Sequence, residues 1–190
     1  MNLPTVAIAI FLAGGCAFGR ANPIKTSETS EKVIVCLENP ESDLRAWGAE
    51  SMASGMLKKV GVGLQWRNSE RACQSAGPGA IVVKLLPHAA SSAPPVALAW
   101  AYYREGVHIE VFLDRISPAP ANLQILLLAH VLVHEIAHIL QGISRHSATG
   151  MMKAQWDPDD YYEMRSHPLR FTPEDIRLIH AGLAARAAAR

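Results

Sequence analysis

Residues 122–141 read NLQILLLAHVLVHEIAHILQ, and they carry both the fold and the chemistry of this chain. The run is apolar on almost every face of a helix, which predicts a helix buried inside a globular domain. Within it stands His134-Glu135-Ile136-Ala137-His138, an H-E-x-x-H sequence. Four-residue spacing puts the two imidazoles one turn apart on one face, close enough to share a tetrahedral Zn²⁺. Glu135 lies round the helix from them, within reach of a water rather than of the ion. Chance alone would produce such a pattern roughly 0.02 times in a chain of this composition. A membrane-spanning reading of the same run is rejected, because three histidines and a glutamate are expensive in hydrocarbon.

A catalytic zinc needs a third protein ligand and one open corner. Downstream, Gly142 can adopt the left-handed conformation that ends a helix, after which the chain can return His146 to the metal. Glu163, or an aspartate among Asp157, Asp159 and Asp160, is the competing third ligand. His130, one turn before His134, is expected to be a packed core histidine, since a fourth ligand would close the site. Met151 and Met152, following Gly150, can be core filler or a floor beneath the metal.

Outward from this centre, the chain reads as alternating elements. Lys32–Leu37 is a β-branched run expected to form a buried strand, and the apolar spacing from Asp43 to Lys59 predicts a helix stopped by Gly61. Strands are expected at residues 64–67 and 80–86, and a hairpin joins residues 97–103 to 107–113 through Arg104-Glu105-Gly106. Thr172 as N-cap, Pro173 in the first turn and Asp175 three after the cap predict a closing helix. The class is α+β, in one domain over residues 22–190.

The segment that precedes this domain reads as an address. No charged side chain precedes Arg20, and Leu3–Ala13 is an apolar run of signal-peptide length, too short to span a bilayer. Residues 1–21 are therefore expected to be a signal peptide, cleaved after Gly19 or Ala21, and the protein to be secreted or periplasmic. Ala13-Gly14-Gly15-Cys16 loosely matches a lipobox, which would make Cys16 a lipid anchor. Removal of the signal leaves Cys36 and Cys73, an even pair that is a candidate disulfide in an exported protein.

Composition narrows the partners. The 190 residues carry 18 Lys+Arg against 17 Asp+Glu, a net charge of +1, which offers no basic surplus for nucleic acid. Nearly half the residues (49%) are apolar, enough to exclude disorder.

His134-Glu135-x-x-His138, Gly142, His146-Ser147 and Gly150-Met151-Met152 together resemble the extended zinc site and Met-turn of the metzincin zinc metallopeptidases, in a small secreted bacterial-type form. The order of strands, hairpin and helices resembles that fold along the mature chain. The resemblance implies a twisted mixed sheet with a backing helix, a buried active-site helix, a Met-turn and a C-terminal helix. It implies His134, His138 and His146 as zinc ligands, Glu135 as general base and Met152 as the floor. It implies a peptide or protein substrate docking along the strand of residues 97–103 or its hairpin partner. A monomer is expected. The spacing departs from the family in one respect: Gly and His follow the second motif histidine at four and eight residues, where the family has three and six. A non-catalytic, zinc-binding exported protein of the same fold is the alternative function.

Overall fold

The computed structural model describes residues 32–38 and 43–189. The signal segment, its cleavage points and Cys16 lie outside the described residues. In chain order the elements are β1 (Lys32–Glu38), α1 (Arg45–Lys58), β2 (Gly63–Arg67), α2 (Glu70–Gln74), β3 (Ile81–Leu86), β4 (Ala99–Ala101) and β5 (His108–Phe112). They continue with α3 (Leu113–Ile116), α4 (Ala121–Gln141), α5 (Pro158–Ser166) and α6 (Pro173–Ala188).

The five strands form one sheet in the order β2-β1-β3-β5-β4. β1, β2, β3 and β5 are parallel, and only β4 runs antiparallel, with Ala99 opposite Val111 and Ala101 opposite Ile109. Val, Ile and Leu dominate β1 and β3, the inner parallel strands, whereas the edge strand β2 is only half-buried. Val35, Ile81, Val83, Ile109 and Val111 have no exposed surface. Among the described residues β4 pairs with β5 alone and so forms one edge of the sheet.

α4 is the central pillar. It is long and apolar enough to cross a membrane by length and composition, yet 83% of its most apolar window is buried in the fold. It packs against α1, α6 and the β4–β5 hairpin. The contact with α6 is backbone-close at Gly182, where a Cβ would stand 1.7 Å from the Leu140 carbonyl oxygen. That approach brings the first turn of α6 towards the loop that leaves α4. The α6 cap is the expected one: Thr172 and Asp175 exchange side-chain-to-backbone hydrogen bonds behind Pro173.

Three short helices depart from the sequence reading. α2 buries nothing, α3 is only four residues long, and α5 buries only Met164. Cys73 sits in α2. The structure also draws Cys36 and Cys73 as free thiols rather than a disulfide. The two side chains are nonetheless hydrogen-bonded neighbours, and burial together with Cys73 pushes the Cys36 thiol up to about 12.

Candidate metal and catalytic site

His134 and His138 project from the last two turns of α4, and both are buried. Gly142 ends the helix at φ 69°, ψ 18°, donating its N–H to the His138 carbonyl at 2.9 Å. A side chain there would strain the left-handed geometry, so glycine lets the chain reverse at once. The loop that follows carries His146 back over the pair. The Nε2 atoms of His138 and His134 are 3.1 Å apart, and those of His138 and His146 are 3.2 Å apart. All three donor atoms lie within 4.8 Å of one another, and no other His, Cys, Asp or Glu joins the group among the described residues.

The tautomers follow from the partners. His134 Nδ1 is 2.8 Å from the Met151 carbonyl, and His138 Nδ1 is 3.0 Å from the Ile143 carbonyl. A carbonyl only accepts, so each Nδ1 carries the hydrogen and each Nε2 presents a bare lone pair. Lone pairs facing one another at these distances repel unless a cation lies between them. Tetrahedral zinc with Zn–N bonds of about 2.0–2.1 Å sets its nitrogens about 3.3 Å apart, close to the two separations that involve His138. The carbonyls behind the rings fix ring orientation and raise ligand basicity, the usual outer support of a metal-binding imidazole. Three neutral nitrogens with the fourth side open to a cleft fit a zinc ion.

Burial sets the protonation states. It lowers His134 to about 3, aided by the positive charge that His138 could carry. Burial likewise lowers His138 to about 4, although the Ile143 carbonyl partly opposes the shift. His146 is lowered by burial as well, though its ring remains partly exposed. Glu135 behaves oppositely: burial pushes its carboxyl up to about 8, against the hydrogen bond it accepts from the Ala101 N–H. That bond ties Glu135 to the end of β4, the edge strand.

Glu135, the three imidazoles and β4 line a cleft of about 460 Å³. Its other walls include Val131, Trp156 and Tyr161. Trp156 stands edge-on to His134 at 5.6 Å and to His130 at 6.1 Å, and donates its indole N–H to the Gly150 carbonyl. Nothing local in the sequence marks Trp156 for this place. Tyr161 reads as an ordinary packing residue, yet it lines the cleft, whereas Tyr162 is 72% exposed.

The remaining candidates separate cleanly. Asp157 and Asp160 pair with Lys153 and cap α5, and Glu163 pairs with His167. His130 is fully buried, with Nδ1 on the Leu126 carbonyl and Nε2 accepting from the Leu169 N–H, a core histidine. Met151 and Met152 are both fully buried in the turn that Ser147 N–H closes onto the Met152 carbonyl. From this turn the Met151 carbonyl meets the His134 ring.

The same architecture occurs in a solved structure. The chain is similar to the crystal structure of archaemetzincin from Methanopyrus kandleri, at a TM-score of 0.57 and 12% identity, covering 84% of this chain and 99% of that one. Its fold is archaemetzincin-like. No protein-family model matches the chain, and no curated protein matches it. The archaemetzincin-like fold therefore rests on architecture, and the chemistry rests on the residues described above.

Proposed function

We propose that this chain is an exported zinc-dependent metallopeptidase, with His134, His138 and His146 holding the metal and Glu135 acting as general base. The observation that carries the reading is the meeting of three imidazole Nε2 atoms beside a buried carboxyl in an open cleft. When bound, zinc supplies Lewis acidity that polarises a scissile carbonyl and acidifies a water. Glu135 would accept that water's proton as the water oxygen adds to the carbonyl carbon, and would deliver it to the amide nitrogen as the C–N bond breaks, leaving a carboxylate and an amine. Burial gives this carboxyl the proton affinity needed to hold the proton between the two events. A nearby cation favours its ionised form beforehand.

The edge strand β4 forms a wall of the same cleft, which suits an extended peptide adding as a further strand. Met152 is the floor of the site, and Met151 acts through its carbonyl. A non-catalytic zinc site has no use for a desolvated carboxyl facing a cleft, so the peptidase reading is favoured over the binding-protein alternative. The apolar segment at residues 3–13 supports export, in a mature domain of residues 22–190. In an oxidising compartment Cys36 and Cys73, already in contact, would join.

The test is Glu135→Ala in the mature protein, assayed against a broad peptide library with zinc content measured in parallel. It should retain zinc and fold while losing at least about 100-fold in hydrolysis. Turnover equal to the wild type would remove the mechanism.

A further inference from the structure

Asp175 is fully buried, and each of its oxygens serves a different part of the chain. Oδ2 accepts from the Thr172 N–H at 2.9 Å and the Thr172 hydroxyl at 2.7 Å, which completes the α6 cap. Oδ1 faces away from the helix. It accepts from the Ser147 hydroxyl at 2.6 Å and from Arg145 Nη1 at 2.8 Å. Arg145 and Ser147 are the two neighbours of His146. One carboxylate therefore holds the side chains on both sides of the third imidazole.

We propose that Asp175 is the positioning residue for His146: it fixes the 145–147 segment so that the third imidazole reaches the pair on α4. A capping box does not require this arrangement. The counterpart in α5 is Asp160, which closes its box on the Asp157 N–H with Oδ2 and beyond the box meets only Lys153, with no ring-bearing loop held on two sides. Burying a carboxylate is costly unless every lone pair is met, and here four donors meet them. Burial would raise the Asp175 carboxyl, but hydrogen bonds from Ser147, Thr172 and Arg145 outweigh it and hold the group below the usual carboxylate range.

The 143–146 stretch has no helix or strand of its own. Among the described residues the imidazole at its end meets no carbonyl of the kind that fixes His134 and His138. The eight-residue gap after His138 is two residues longer than the metzincin pattern, so this loop has more freedom to remove. Anchoring the flanks of the ring removes that freedom. The Ser147 N–H adds a third tether through the Met152 carbonyl at 2.7 Å.

The inference rests on the three-imidazole reading of the site, and zinc affinity tests it without reference to hydrolysis. Zinc dissociation constants would be measured by competition with a chromophoric chelator for the wild type, His146→Ala, Asp175→Ala, Ser147→Ala and the double variant Asp175→Ala/His146→Ala. Asp175→Ala should weaken zinc binding about 10- to 100-fold, in the range for outer supports of a metal ligand. Ser147→Ala, which leaves the α6 cap intact, should weaken it about 3- to 10-fold. With His146 already removed, Asp175→Ala should change affinity less than about 2-fold, because nothing remains to position.

An equal loss with and without His146 would overturn the proposal, and so would unchanged affinity in Asp175→Ala. If Asp175→Ala does not fold, Ser147→Ala decides, and unchanged affinity there overturns it. Zinc affinity indifferent to His146→Ala would instead sink the parent reading, a result visible before any Asp175 variant is made.

Discussion

At pH 6.0 the metal-free site should hold its protons in the reverse of the usual order, and zinc uptake should reveal it. With His134 at about 3 and His138 at about 4, together they carry only ~0.01 proton at that pH. Two ordinary imidazoles near 6.5 would carry ~1.5. Glu135, pushed up to about 8, is ~99% protonated, where an ordinary glutamate would be a few per cent protonated. Zinc binding should ionise Glu135, so the wild type should release about one proton more than Glu135→Gln. Glu135→Gln should release only the fraction still on His146, below ~0.8 because that ring is also lowered. The assay is calorimetric zinc titration at pH 6.0 in buffers of different ionisation enthalpy, comparing the two proteins. Release of ~1.5 protons or more by Glu135→Gln would show that the imidazoles are not desolvated. Equal release by both proteins would show that Glu135 does not sit proton-bound beside the site.

Three further outcomes follow from the same structure. Gly182→Ala places a methyl 1.7 Å from the Leu140 carbonyl, and neither backbone can yield without parting α4 from α6; denaturant unfolding should show a loss of about 3 kcal/mol or more. Metal-free stability should fall as pH rises from 6.5 to 8, because the folded carboxyl of Glu135 holds its proton up to about 8 while the unfolded one has lost it. Urea melts should register the fall in the wild type and not in Glu135→Gln. Below 6.5 the sign reverses for His134 and His138, whose depressed folded values make the unfolded chain the better proton acceptor, so their contribution is lost as pH falls. Cys36 and Cys73 should form a disulfide when the protein is made in an oxidising compartment, transferring two hydrogens to a disulfide oxidant. The intact mass should show that loss, and alkylation of both thiols without reduction would contradict it.

What could be read in advance was local. The α4 helix, its H-E-x-x-H pair, the Gly142 stop and the Thr172-Pro173-x-Asp175 cap are each written within a few neighbouring residues. α5 shows the limit of attending to apolar period alone. Asp157-Pro158-x-Asp160 follows the same grammar as the α6 cap, but the helix buries only Met164 and so lacks a stripe. The strand order β2-β1-β3-β5-β4 depends on pairings between distant segments and has no local signature. The same holds for Trp156 and Tyr161 in the cleft wall, and for the second face of Asp175. Its cap was visible in sequence, whereas its bonds to Arg145 and Ser147 exist only once α6 has packed on α4.

The central claim is tested most directly by zinc K-edge X-ray absorption on protein purified without chelators. Three imidazole nitrogens at about 2.0–2.1 Å and one further light atom are expected, falling to two imidazoles in His146→Ala. Sulfur scattering at about 2.3 Å, fewer than three imidazoles in the wild type, or a protein that binds no zinc would contradict the account.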